Sequence, residues 1–456
     1  MAAGDGDDHL ELHVSAWDGD VERVRGLVER GFYREHINGK DFHGNTALHI
    51  AAHFGSKEIV EALVEAGANP ECTSAAGWRP LDEAIASGSR ECAAILMRSS
   101  LNHYRHSMTL RAQQFFDRLR TIPDFSFEIR WDFELLGGWV PSLVRQYVPN
   151  DVYRISKRGD AVRVDYTLLG FKNLQISRGK MSMVFAGSDQ GEFAGHLFAI
   201  DHIKKTIQDF AAPPGDSYDE QIGEALDYLF AHDLCSYSPP AAHAKERGGN
   251  VSFRPVTSWL SSAPRTEMIE CYQCDLFSTH GVKLQSLYRS DPDAKRTRIP
   301  RSFVGAEAVS HYRRLRTEYF SQSSKSRERF KDGLVWFGRE NVRHQAKSFE
   351  GNLYVCEDFP LEMSHLMTLS EIYSPTSQQW EKLKQYLEMN LPAGYPVRIQ
   401  IPVWWGITAN VESGKFSKGS PPKEMFDIPN HYTQICEAYI GHETREMMKS
   451  AQSGKH

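Results

Sequence analysis

Few residues in this chain have the neighbours that chemistry needs. Cys271-x-x-Cys274 is the one close cysteine pair. Two thiolates at that spacing supply half of a tetrahedral zinc site, which wants four ligands, usually a second pair or two histidines. The sequence holds no second pair. If IECYQCDL is a strand, its alternation sends the two sulfurs to opposite faces, so neither a metal nor another cofactor is expected. The nineteen histidines are scattered. His202 beside Asp201 and His232 beside Asp233 are neighbours in sequence, which does not make either pair a dyad. The phosphate-cradling G-x-x-x-x-G-K-[ST], the zinc-binding H-E-x-x-H and the nucleophile elbow G-x-S-x-G are all absent. Catalytic groups can be far apart in a chain, and an enzyme would bring titratable side chains together in a cleft. The expectation is a protein that performs no catalysis.

Bulk composition agrees. The 456 residues carry 53 basic and 59 acidic side chains, a formal charge of −6, with 41% apolar and 25% charged residues. That balance argues against general nucleic-acid binding, which favours a basic domain. No run approaches the roughly 20 apolar residues of a membrane-spanning helix. The opening MAAGDGDDHLEL is acidic and lacks a hydrophobic run, so no signal peptide is expected. Seven scattered cysteines do not make a disulfide scaffold. A reduced, intracellular, soluble protein of two or three domains fits these constraints.

The elements that organise the chain begin with a repeat. DFHGNTALHIAAHFGSKEIVEALVEAGANP (Asp41–Pro70) returns from Ala76 as AGWRPLDEAIASGSRECAAILM. Gly44 and Gly77, Leu48 and Leu81, Ala51 and Ala84, Gly55 and Gly88, and Leu63 and Leu96 are each 33 apart. A weaker copy, His13–Gly31, precedes them by 36. Each unit reads as a turn, a short helix with Leu and Ala inward, and a second helix with Ile59, Val60, Leu63 and Val64 on one face. Such a unit cannot bury its own apolar side, so copies must stack. GNTALHIAAHFG resembles the T-P-L-H-x-A signature of the ankyrin repeat, with Ala47 at the proline position and His49 as a structural residue bonding its own turn. Ankyrin arrays offer turn tips and a concave helix face to protein partners. By register, Phe42, His43, Asn45, His53, Phe54, Trp78 and Arg79 lie there. Trp78 and Phe54 serve equally well as cover for a neighbouring unit.

After a basic helical stretch, His103–Arg120, the period becomes two. FSFEIRWDFE (125–134) alternates Phe125, Phe127, Ile129, Trp131 and Phe133 with polar residues, a half-buried strand. Three hairpins are expected next: VYRISKRGDAVRVDYTLL, LQISRGKMSMVFAG and HLFAIDHIKKTIQDF, turning at Arg158-Gly159-Asp160 and Arg178-Gly179-Lys180 in the first two. The RGD tripeptide therefore reads as a turn rather than an integrin ligand. Residues 211–250 are rich in Pro, Gly, Ala and Ser around one helical run and read as a mobile insertion or connector within the 125–432 domain. Strands resume at TEMIECYQCDLF and VKLQSLYRS. Arg313–Arg329 reads as a solvated basic face on a helix starting near Val304. A helix at Gln378–Asn390, a strand at YPVRIQIPVWW and a polar tail from Thr433 close the chain. Lys295, Arg296, Arg298 and Arg301 in KRTRIPR are the candidate contact with an anionic membrane, at about 1 kcal/mol per basic side chain.

The blocks FSFEIRWDFE, WVPSLVRQYVPNDVYRISKRGDAVRVDYTLLGF, MVFAG, PTSQQWEKLKQYLEMNLPAGYPVRIQIPV and FDIPNHY, following the repeats, resemble the ankyrin repeat domain 13 family. The likeness runs from about His9 to Tyr432. It implies a GPCR-chaperone domain and a membrane-associated protein that handles multispan receptors. One branch of that family aids receptor biogenesis at the endoplasmic reticulum. Another binds ubiquitinated cargo at endosomes or the plasma membrane through C-terminal ubiquitin-interacting motifs. The tail YTQICEAYIGHETREMMKSAQSGKH lacks the acidic run and the alanine–serine spacing of that motif, so the chaperone branch is the nearer and direct ubiquitin binding is not expected.

The expected architecture is a multidomain α+β chain. Ankyrin repeats occupy 9–102 (about three), a connecting helix 103–124, a mainly antiparallel domain with helices 125–432 (a meander or a curled barrel), and a tail 433–456. The expected role is a non-catalytic chaperone or adaptor for multispan membrane proteins on the cytosolic face of the endoplasmic reticulum, with peripheral membrane contact. Its rivals are an endosomal trafficking adaptor, and a ligand- or lipid-binding β-domain recruited through the repeats.

Overall fold

A computed structural model of the chain describes residues 8–30, 33, 35–75, 78–135, 150–172, 175–213, 218–231, 235–238, 252–257, 264–289, 315–321, 323–329, 342–373, 380, 384, 387, 391–404 and 407–435. The chain divides into two compact units, each drawn from three stretches: 1–103, 219–238 and 285–346 form the first, and 104–218, 239–284 and 347–456 the second. Within the expected 125–432 domain, 219–238 and 285–346 fall in the first unit.

Helix pairs build the first unit. They are α1 (Asp8–Asp18) with α2 (Val21–Val28), α3 (Ala47–His53) with α4 (Lys57–Glu65), and α5 (Pro80–Ser87) with the start of α6 (Arg90–Thr121). Ala47, Leu48, Ile50, Ala51 and Ala52 of α3 are all buried, as are Ile59, Val60 and Leu63 of α4. Small side chains on the short helices allow close approach, and each buried Leu, Ile or Val contributes about 1.5–3 kcal/mol. Gly44 shows how tightly consecutive turns meet. Its φ is +74°, and a Cβ there would lie 2.5 Å from the Ala75 amide nitrogen. The Ala75 amide in turn donates to the His43 carbonyl at 3.2 Å. From the later stretches, α7 (Tyr218–Ala231) is tied to α6 through Arg90–Asp227 (2.7 Å) and Arg98–Asp219 (2.8 Å).

No glycine or proline interrupts residues 90–121, so the connecting helix expected at 103–124 is not a separate element. It is the second half of α6, which stops just before Pro123, a residue that disfavours helix at its predecessor. Tyr104, Met108, Phe115, Phe116 and Leu119 from that half enter the core of the second unit.

That core lies against a large sheet. Consecutive strands β1 (Phe125–Leu135), β2 (Asp151–Arg158), β3 (Ala161–Lys172), β4 (Gln175–Phe185), β5 (Leu197–Asp201) and β6 (Thr206–Asp209) run as the expected antiparallel meander. The described strands continue from β1 through β13 (Ile407–Lys418), β12 (Tyr395–Trp404) and β11 (Val342–Cys356) to β10 (Tyr272–Arg289), with β8 (Ser252–Pro255) pairing on β10, an open path rather than a closed barrel. Phe125, Phe127 and Ile129 point into the core as their alternation requires. Arg158-Gly159-Asp160 is the β2–β3 turn, with Gly159 at φ +57°. The second expected hairpin is corrected: LQISRGKMSMVFAG contains a single strand, β4, that pairs along β3 with register shifts near Leu168. Gly179 is there for closeness, since a Cβ would meet Leu169 Cδ1 at 2.8 Å.

Other expectations also shift. IECYQCDL is not one strand but the turn of a hairpin between β9 (Thr266–Ile269) and β10, with Glu270 at φ +52°. The separate strand VKLQSLYRS is the second half of β10. The connector at 211–250 contains α7, whose Tyr218, Ile222, Ala225 and Leu226 are buried, and β7 (Cys235–Ser238), which pairs with residues 285–288. The polar tail begins as an edge strand, β14 (Thr433–Ile435), parallel to β6. Trp380, Lys384 and Leu387 are helical, as the Gln378–Asn390 pattern predicts.

Candidate protein-recognition site

The tip of the second ankyrin unit is organised by Asp41. Its Oδ1 accepts from the His43 and Asn45 amides, both at 2.9 Å, closing the turn that Gly44 permits. Its Oδ2 accepts the phenolic proton of Tyr319 at 2.5 Å. The Asn45 side-chain amide donates to the same phenol oxygen at 2.7 Å, and His43 Nε2 donates to the Tyr319 carbonyl at 2.9 Å. The Tyr319 ring lies 4.7 Å from the Trp17 ring of α1 and 4.5 Å from the His43 imidazole. Tyr319 is fully buried. Burial and the neighbouring Asp41 carboxylate push its phenol well above its ordinary pKa, so it stays a neutral donor.

Residues 315–319 form the helical turn that carries this side chain. Leu315 and Ser326 are buried beside it, Phe320 meets Trp17 edge-on at 5.7 Å, and Arg316 pairs with Asp18 at 3.0 Å. Burial pushes the Asp18 carboxyl up, against the pull of Arg316. Of the stretch expected as a solvated basic face, Arg313–Arg329, Leu315, Tyr319 and Ser326 are buried and Phe320 packs on Trp17, while Thr317, Ser323, Ser324 and Lys325 are exposed.

The residues chosen by register meet different fates. His43 and Asn45 line the Tyr319 contact, and Asn45 is 0% exposed. Phe42 is the exposed member, at 37%. His53 is buried and donates from Nδ1 to Glu83 Oε2 at 3.0 Å, bridging the second unit to the third. Phe54 packs edge-on against Trp17 at 4.7 Å. Arg79 pairs with Asp82 (3.3 Å) and Glu71 (3.5 Å). Trp78 is 1% exposed, which suits the reading as cover over the reading as an open contact, and its carbonyl accepts from His49 Nε2 at 2.9 Å. Burial lowers His49 to about 4, and its Nδ1 accepts from the Thr46 amide at 3.1 Å. Lys295, Arg296, Arg298 and Arg301 lie outside the described residues, as do His232, Asp233 and the helix start near Val304. Sequence reasoning missed Asp41, Trp17 and Tyr319. Asp41 could have been found as the cap of its turn, whereas nothing local to Tyr319 points to a partner more than 270 residues away.

The second compact unit places Ser182 beside His202, at 2.7 Å from Nε2. Ser182 Oγ donates to Asp165 (2.5 Å) and accepts from Arg163 (2.8 Å), while the Tyr432 hydroxyl lies 3.3 Å from His202 Nδ1. One tautomer satisfies every partner: His202 donates from Nε2 to Ser182 and accepts at Nδ1. That polarity is the reverse of a histidine activating a serine, and Ser182 is 0% exposed. Asp201 caps the next turn through the amides of Ile203 and Lys204 instead of bonding His202. Cys271 is exposed in its hairpin turn, while burial pushes the Cys274 thiol up to about 12, leaving it protonated and a poor nucleophile. Among the described residues, no helix is long and apolar enough to cross a membrane.

The family model for ankyrin repeats in three copies matches residues 12–105, and the ANKRD13 C-terminal model matches 163–335 and 311–455. Ankyrin repeat domain-containing protein 13C of Danio rerio is 29% identical over 445 residues, covering 94% of this chain and 87% of its own. The Homo sapiens 13C protein is 28% identical, covering 93% and 78%, and the Homo sapiens 13B protein is 25% identical, covering 91% and 70%. With the repeats and the long second region both matched in order, the chain belongs to the ankyrin repeat domain 13 family.

Proposed function

We propose that this protein is a non-catalytic chaperone or adaptor, which uses its ankyrin tips to hold protein segments and serves multispan membrane proteins at the cytosolic face of the endoplasmic reticulum. The observation that carries the protein-binding part is the Asp41–His43–Asn45 tip closed around a tyrosine side chain, a geometry suited to polypeptide recognition. The buried Ser182, with its proton directed to Asp165, supports the non-catalytic part. The client and compartment are inferred from the family resemblance, and the extent of the match to the 13C proteins supports that inference. Contact with the membrane is peripheral, through the basic segment Lys295–Arg301 or through a client.

Proximity labelling in cells tests this reading. Multispan proteins of the endoplasmic reticulum should dominate the labelled set. They should fade when the exposed tip residue Phe42 is changed to Asp, in a variant whose melting matches the wild type. A set dominated by endosomal sorting proteins instead assigns the chain to cargo trafficking and removes the chaperone reading.

A further inference from the structure

The tip that should meet partners is already occupied by this chain. Asp41 accepts the phenol proton, Asn45 donates to the phenol oxygen, His43 holds the main-chain carbonyl, and Trp17 supplies an aromatic wall. One turn earlier, Arg316 reaches Asp18. These groups read a tyrosine through both its ring and its hydroxyl, together with a basic residue three positions before it. A phenylalanine would fill the same space yet leave the Asp41 carboxylate and the Asn45 amide without the hydroxyl, and losing hydrogen bonds in a buried site is costly. Such a pocket discriminates by chemistry rather than size.

We propose that Asp41, His43, Asn45 and Trp17 form a tyrosine-recognition pocket which the chain fills in cis with Tyr319, and that a partner protein binds there by presenting its own helical Arg-x-x-Tyr turn in place of residues 316–319. The inference rests on the ankyrin array being a protein-recognition module, and it adds what that module reads and what covers it. Competition sets the behaviour. A segment of the same chain has a high effective concentration at its own site, so a free partner gains access only in proportion to how often that segment leaves.

The probe is a fluorescent peptide of residues 315–326, LRTEYFSQSSKS, titrated by anisotropy into the full-length protein. Wild type should bind it weakly. The Tyr319→Ala variant, with its pocket vacant, should bind it saturably, one to one and at least tenfold more tightly. A peptide with phenylalanine at the tyrosine position should lose about tenfold of that affinity. Equal binding by wild type and a folded Tyr319→Ala variant, or equal affinity for the two peptides, overturns the proposal.

If Tyr319→Ala does not fold, Tyr319→Phe keeps the ring and removes only the hydroxyl. Hydrogen exchange at residues 315–321 should then accelerate about tenfold over wild type while β2–β3 stays unchanged, and unaltered exchange overturns the proposal. No client enters either experiment. A failed pocket therefore leaves the proximity-labelling result standing, and a failed chaperone reading leaves the pocket.

Discussion

His49 lies on the path that joins two ankyrin units, accepting from Thr46 and donating to Trp78. Burial lowers it from the ordinary histidine value to about 4. Above the unfolded value of 6.5 both states hold it neutral and the interaction is intact. As pH falls below that, the unfolded chain takes up a proton that the folded chain refuses until about pH 4. Over that window this single group removes roughly 3 kcal/mol of stability, at 1.36 kcal/mol per unit. Urea midpoints measured from pH 7 to 4 should fall accordingly, and the His49 C2 proton should show no titration above pH 5 by NMR. A His49 signal that titrates near 6.5 contradicts the buried, neutral assignment.

A second prediction concerns the buried His53–Glu83 contact, with both side chains almost wholly out of water. His53→Ala takes a donor from a buried carboxylate and should cost about 1.5–3 kcal/mol in urea unfolding, the range for hydrogen bonds to charged groups. Glu83→Gln keeps an acceptor for the imidazole and should cost less. The reverse order would show that the histidine, not the carboxylate, is the member that needs its partner.

Among the elements, the tip of the second unit depends on backbone that only glycine adopts cheaply. Gly44→Ala combines a positive φ with a clash on the Ala75 backbone. It should cost about 1–3 kcal/mol, the usual scale of stored backbone strain, and lower the thermal midpoint without changing the circular dichroism of the folded state. The 33-residue periodicity made this turn readable, because its two halves are close in sequence. The strand β1 was equally readable, its Phe125, Phe127 and Ile129 alternating into the core. Gly179 was misread for a related reason. A glycine between two β-prone runs looks like a turn locally, and only the neighbouring strand's Leu169 shows that it marks a close approach. The Cys271 turn fails in the opposite sense. A two-residue hairpin without glycine, made by Glu270 at positive φ, leaves no composition signal to separate it from a continuous strand.

The chain as a whole returns to each unit from distant stretches, and this order was illegible because hydrophobic period reports a face without naming what covers it. Tyr319 is paired with residues near 41, and β1 is paired with β13 along the register Phe125↔Lys418 to Leu135↔Ile407. β14 likewise adds to β6 from the far end of the chain. Both units are therefore closed by segments on either side of residue 245. A specific protease site inserted after Lys245 gives the test. After complete cleavage the two fragments should still coelute on size exclusion and melt cooperatively, held by the β1–β13 ladder and by the Tyr319 contact. They should part only in denaturant, and recombination should be slow, because pairing strands so far apart in sequence must first bear the entropy of bringing them together. Fragments that separate under native conditions would mean that the N-terminal half carries its own closed sheet. That would remove the basis for assigning 285–346 to the repeats.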